Sequence, residues 1–157
     1  LPSERVAVEA TGDGADSLVE ALAARDPSSD RIAALVWNGT LDQSKARGSD
    51  LLSRRVSLRI TGLPPGRYLM THHRVDDDHS CVPAVWRRIG NGADWPDDSQ
   101  WEALRAADRL DELHPPRALD ASDGSVVVEF DLPMPGISLV EVRPDDGNPL
   151  DPISQRR

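Results

Sequence analysis

The stretch HHRVDDDHSC, residues 72 to 81, gathers the residue types best able to do chemistry in this chain. Three consecutive aspartates lie between histidines, and the only cysteine, Cys81, follows. Such a run invites three readings: a divalent metal site, an acid/base centre, or a polar turn. His72, His73, Asp76, Asp77, Asp78 and His79 are all metal-ligand types. Yet neighbouring residues of a strand point to opposite faces, so His72 and His73 do not converge. No HExxH, CxxC or EF-hand spacing is present. The expectation is a structural loop in which aspartate side chains accept backbone N–H bonds, with Arg87 or Arg88 as ionic partners. No metal and no cofactor is expected.

Hydrolysis of a sugar bond needs two carboxyl groups across a cleft. Glu9, Glu20, Glu102, Glu112, Glu129 and Glu141 fall mainly on outward strand positions or on a helix surface, where nothing buries them or raises their pKa. Serine, histidine and aspartate all occur, but without a GxSxG elbow. Cys81 beside His79 reads as a small apolar residue before it reads as a nucleophile. No catalytic residue is therefore assigned. Four tryptophans offer faces for sugar rings: Trp37, Trp86, Trp95 and Trp101. Trp37 lies in an apolar strand and Trp101 on the core side of a helix, which leaves Trp95 as the best-placed platform. His72, Asp76, His79, Arg87 and Trp95 are the candidates for sugar or domain contact. Asn38-Gly39-Thr40 is an N-glycosylation sequon, with meaning only in a secretory pathway that glycosylates.

The elements around these residues are mostly strands. Val56, Leu58 and Ile60 alternate with Arg55, Ser57 and Arg59, and Val126, Val128, Phe130 and Leu132 share one face. Residues 32–38 are nearly all apolar, as in a strand covered on both sides. Residues 5–10, 18–25 and 137–142 also read as strands, with a hairpin turn at 26–30 and a Gly-Pro turn before Tyr68. One helix interrupts them at about 94–114, capped by Ser99 or Asp98 and stopped by Pro115 and Pro116. The fold expected is all-β: an antiparallel β-sandwich with one short helix inserted in a long connection. The loop 40–50 is expected to be mobile.

Composition bounds the rest. The 157 residues suffice for one domain, expected over 1–143, followed by a flexible polar tail at 144–157. The start, LPSERV, has no initiator Met and no signal-peptide pattern, as if trimmed or interior to a longer protein. A net charge of −9 and a pI near 4.8 argue against nucleic acid and anionic membrane as partners. The lone cysteine excludes an intrachain disulfide. A soluble protein is expected, cytoplasmic or secreted.

Three segments together carry a resemblance: ALVWNGT, then GLPPGRYLMTHHRVDDDHSCVPAVWRRIGN, then WPDDSQWEALRAADRLDELHPPRAL. They resemble the region that follows the catalytic barrel in family 39 glycoside hydrolases, the β-xylosidases and α-L-iduronidases. The matching positions are Arg74, Asp76, His79, Ser80, Trp86, Arg87, Arg88 and Gly90, then Pro96, Gln100, Trp101, Leu104, Ala107, Pro115, Pro116 and Arg117. The resemblance runs over roughly residues 5 to 142. It implies that the catalytic glutamates sit on a (β/α)8 barrel that these residues do not build. The Asn-Glu pair of that family is absent: Asn38, Asn91 and Asn148 are the only asparagines, and none precedes a glutamate. The resemblance thus implies a non-catalytic C-terminal accessory sandwich. Its expected partners are the barrel and, through residues 76–119, a further copy of the chain; the rival reading is an independent carbohydrate-binding module.

Overall fold

The computed structural model describes residues 4–15, 17–45 and 48–146. Eight strands and two helices follow in order: β1 (Glu4–Val6), β2 (Val19–Asp26), β3 (Arg31–Asn38), β4 (Arg54–Thr61), β5 (Arg67–Val75), α1 (Val82–Ile89), α2 (Asp98–Ala107), β6 (Asp111–Asp120), β7 (Ser125–Leu132) and β8 (Gly136–Pro144). Short 3-10 turns at Gln43–Lys45 and Asp50–Leu52 structure part of the loop expected to be mobile. The tail from 147 onward lies outside the described residues, as does the start of the chain before Glu4.

All strand pairs in the two sheets are antiparallel. One sheet has six strands in the order β1-β2-β3-β8-β5-β6, and the other consists of β4 and β7. The two pack face to face, as the alternation requires. Val126, Val128, Phe130 and Leu132 of β7 and Ile60 of β4 meet Ile32 and Val36 of β3, Tyr68 and Met70 of β5, and Val140 and Val142 of β8. Met70, Leu132, Val140 and Val142 have no exposed surface at all. Burial of this kind supplies the sandwich with most of its stability.

The other face of the six-stranded sheet is also largely apolar. Cross-strand partners share a face, so Leu22, Leu35, Leu139 and His73 form one row across β2, β3, β8 and β5. Trp37 and Ile137 stand beside each other in the next row. Leu22 and Ile137 are each 41% exposed, and Trp37 is half-buried.

Two expectations fail in the connection between β5 and β6. The region has two helices, where one at about 94–114 was expected, and residues 111–120 are strand. Pro115 and Pro116 do not stop a helix there; they sit inside β6, an edge strand, where a missing N–H goes unmissed. The β5–β6 register slips between Met70 and His73, and both prolines fall at that slip, between partners His114 and Arg117. The unexpected helix, α1, accepts Pro83 in its first turn, where an N–H has no intrahelical partner. The cap of α2 is Asp97, one residue before the expected Asp98. The first strand is also shorter than expected, since pairing ends at Val6.

Candidate functional site

The stretch 72–81 spans the end of β5 and the turn into α1. His72 and Arg74 point into the core, and His73 points to the opposite face, as the strand period demands. His72 is wholly buried, with its ring edge-on to Phe130 at 4.7 Å and to His114 at 5.4 Å. Its Nε2 lies 3.0 Å from the Ser138 hydroxyl. Burial, then the Arg74 charge, push the His72 pKa down to about 4, so the ring is neutral at pH 7.

Arg74 is 3% exposed and ties three segments together. Its Nε donates to Ser138 Oγ at 3.0 Å, its NH2 to the Asp131 carbonyl at 2.8 Å, and its NH1 to Asp76 Oδ2 at 3.3 Å. Phe130 stacks beneath the guanidinium, 5.8 Å from its centre. Asp76 in turn organises the loop. Its Oδ1 accepts from the Asp78 amide at 2.9 Å, the His79 amide at 3.0 Å and the His79 ring at 2.8 Å. Burial by itself would raise the Asp76 pKa; the bonds from His79 and Asp78 and the nearby positive charges outweigh it and hold the carboxyl below its ordinary range.

The remaining groups face outward or close the loop. Arg87 pairs with Asp77 at 2.7 Å and Arg88 with Asp78 at 3.9 Å, both on the surface. Ser80 adopts a positive φ of 51° and accepts the Asp111 N–H at 2.7 Å, which joins the start of the connection to its end. Gln100 completes a capping box with Asp97 and donates through Nε2 to the Ile89 carbonyl at 2.8 Å, binding α2 to α1. Gly90 lies against Trp86: a Cβ there would come within 2.9 Å of the Trp86 carbonyl oxygen and 3.0 Å of its ring.

The candidate residues thus separate into three groups. His72, Asp76 and His79 join one hydrogen-bonded network through Ser138 and Arg74. Arg87 reaches it only through the neighbouring, exposed Asp77. Trp95 stands apart on the helical connection, 73% exposed, with its ring edge-on to Trp101 at 5.7 Å and 71°. Two stacked sugar faces would need rings nearer to coplanar. Among the described residues no three His, Cys, Asp or Glu side chains converge as a metal site. The network supplies charge-assisted hydrogen bonds, and each acceptor is already engaged. That arrangement fixes a loop on a sheet.

Besides Ser138, sequence reasoning missed two more buried polar groups. Glu141, expected at an outward position, is 7% exposed and ion-paired with Arg31 on the outer face of the large sheet. Asn38 of the sequon is 1% exposed; its Nδ2, the atom a glycan would need, donates to the carbonyls of Leu52 at 2.8 Å and Leu132 at 3.1 Å. Alternation marks Asn38 as inward, since it follows Val36 by two positions.

The fold recurs in solved glycoside hydrolases. A bacterial orthologue of human α-L-iduronidase is 24% identical, with a TM-score of 0.59 over 83% of this chain and 22% of that one. A monomeric β-xylosidase from Caulobacter crescentus CB15 is 24% identical, with a TM-score of 0.61 over 80% of this chain and 26% of the other. A GH39 enzyme from Xanthomonas axonopodis pv. citri is 23% identical, with a TM-score of 0.56 over 80% and 26%. No family model and no curated protein matches the sequence. The chain has the fold of a portion of these hydrolases and spans about a quarter of their length.

Proposed function

We propose that this chain is a non-catalytic accessory β-sandwich of a family 39-type glycoside hydrolase. It packs on a (β/α)8 barrel that carries the catalytic glutamates. The observation that carries the reading is an asymmetry of coverage: at least 80% of this chain aligns in fold with the three hydrolases, but only 22–26% of theirs aligns with it. The residue pattern from Arg74 to Arg117 supports the family. The apolar rows on the outer face of the large sheet, with Leu22, Leu35, Leu139, Trp37 and Ile137, offer a surface for the barrel. The connection 76–110 offers a second contact, with the barrel or with a neighbouring subunit.

The test joins the chain to a family 39 barrel in one polypeptide and follows thermal unfolding of both forms. The joined form should unfold at higher temperature, and Leu139→Asp should remove the gain. The chain alone should not hydrolyse aryl xylosides or aryl iduronides. Equal stability in both forms, or turnover that survives purification, would refute the reading. The exposure of Trp95 favours a second reading, an independent carbohydrate-binding module. Calorimetry with xylo-oligosaccharides and glycosaminoglycan fragments decides it: saturable binding abolished by Trp95→Ala would establish the module.

A further inference from the structure

Two of the chain's asparagines precede a glycine: Asn38-Gly39 and Asn91-Gly92. The third, Asn148, precedes a proline, which has no N–H. An Asn-Gly pair carries its own reaction. The glycine nitrogen can attack the asparagine side-chain carbonyl carbon, because no Cβ on the glycine shields the peptide between them. The fold treats the two pairs differently.

Asn38 is 1% exposed, and both groups of its reaction are engaged. Its Nδ2, the leaving group, donates to the Leu52 and Leu132 carbonyls. The Gly39 N–H, the attacking group, donates to the Leu18 carbonyl at 2.9 Å. Asn91 and Gly92 are exposed, in the turn that leaves α1. Asn91 has a φ of 47° and Gly92 of 76°, and the Ala93 N–H closes the turn on the Gly90 carbonyl at 2.8 Å. Positive φ at both central residues is the type I′ pattern, which asparagine and glycine adopt most readily. Among the described residues, the Gly92 N–H donates to no backbone carbonyl and the Asn91 side chain makes no hydrogen bond.

We propose that Asn91 is a site of spontaneous deamidation in the folded chain, and that the fold holds Asn38 unreactive. A bond forms between the Gly92 nitrogen and Asn91 Cγ, and the bond from Cγ to Nδ2 breaks. Ammonia leaves with the Gly92 amide proton, and a cyclic imide remains. Water then adds to one imide carbonyl. Opening at Cγ restores the main chain with aspartate. Opening at the main-chain carbonyl leaves isoaspartate, in which the chain runs through the former side chain. The net exchange is water for ammonia, with no oxidant and no reductant. Both products place a negative charge just past the C-terminus of α1, where the helix's own carbonyls are already negative. Isoaspartate also lengthens the main chain of a tight turn, so the Ala93–Gly90 bond cannot close as before. Gly90 is buried against Trp86 and has no room to compensate. The modification therefore loosens the joint between α1 and α2. The inference concerns this turn alone and does not depend on the accessory-domain reading.

The test keeps the intact chain folded at slightly alkaline pH and, in parallel, unfolded in guanidinium chloride at the same pH. Trypsin separates the two sites, since Asn38 falls between Arg31 and Lys45 and Asn91 between Arg88 and Arg105. Mass spectrometry follows the amide-to-carboxylate gain in each peptide, and chromatography resolves isoaspartate from aspartate. In the folded chain Asn91 should convert at least about tenfold faster than Asn38, which must first be released by local opening. In guanidinium chloride the two rates should agree to within about threefold, since the unfolded chain keeps little structure to tell them apart. Hydrogen exchange of the aged protein should show lost protection in the last turn of α1, and Asn91→Gln aged in the same way should not. A smaller ratio in the folded chain, a faster Asn38, or an unreactive Asn91 would each overturn the proposal. So would a ratio that persists in guanidinium chloride, because neighbouring residues and not the fold would then set it. Unchanged protection in α1 of the aged protein would overturn the loosening of the joint.

Discussion

Arg74 and His72 share one hydroxyl. Ser138 Oγ lies 3.0 Å from Arg74 Nε and 3.0 Å from His72 Nε2, in a place with no solvent exposure. The arginine has only protons to give, so the hydroxyl accepts from it, and the hydroxyl's own proton is available to the imidazole. One small side chain thus serves two larger ones, while His72 Nδ1 stays buried without a partner among the described residues. Ser138→Ala should therefore cost more than a surface serine would. We expect a loss of about 1–3 kcal/mol in urea unfolding, since two buried polar groups lose their partner together.

The neutral His72 makes stability depend on pH. Its folded-state pKa of about 4 lies below the ordinary histidine value of 6.5, so the unfolded chain binds a proton first as pH falls. The contribution is complete above about pH 6.5 and is lost progressively down to about pH 4. Between pH 7 and pH 5 the part due to His72 should be about 2 kcal/mol, read from urea midpoints. His72→Gln should flatten that slope. Asp76, whose pKa is lowered, adds a further loss below its ordinary range, as protonation removes the acceptor of the His79 and Asp78 bonds. A slope unchanged by His72→Gln would place the titration elsewhere.

The helical connection should fail at its joints. Gly90→Ala presses a methyl group against the Trp86 carbonyl and ring, and should cost about 1–3 kcal/mol. Gln100→Ala removes the capping box and the bond to Ile89, at about 1–2 kcal/mol. Trp101 is half-buried, so Trp101→Ala should cost less than the roughly 3–5 kcal/mol of a fully buried ring. Chemical denaturation of the three variants checks the order.

Asn38 should be a structural residue. Both of its amide donors end on carbonyls, one from the 3-10 turn at Leu52 and one from the end of β7. Asn38→Ala should cost about 1–3 kcal/mol. Expression through a glycosylating secretory pathway should give folded protein of unmodified intact mass. A folded product with a glycan on Asn38 would contradict the buried geometry.

Much of the sandwich was legible because alternation has a single physical meaning: Val126, Val128, Phe130 and Leu132 are inward because the strand period is two, and burial confirms each. The same rule separated His72 from His73. What it missed had weak or misleading local cues. Pro115 and Pro116 look like a stop, and only the edge position of β6 and the slip opposite Thr71 explain why strand continues through them. α1 is eight residues long with a proline in its first turn, too short to display much of a helical period. Glu141 faces outward from the core, as alternation says, but it lies against Arg31 and is only 7% exposed. For the site, the aspartate turn was legible in residue type, and the arginine pairs were too. Ser138 was not, since a lone serine in a β-rich stretch carries no sign that two distant side chains depend on it.

The bond between Ser80 Oγ and the Asp111 N–H divides the chain in a way that strand order does not. It draws the two ends of the connection together at a neck. On one side the β5–β6 hairpin is closed; on the other, residues 81–110 fold back on themselves through the Gln100–Ile89 bond. A closed loop pays for added length only logarithmically. The helical pair is thus a cassette plugged into an edge hairpin. It can be exchanged, lengthened or cut back to a tight turn while the Arg74–Ser138 network stays in register. Change at this end of the molecule leaves the packing between the two sheets undisturbed.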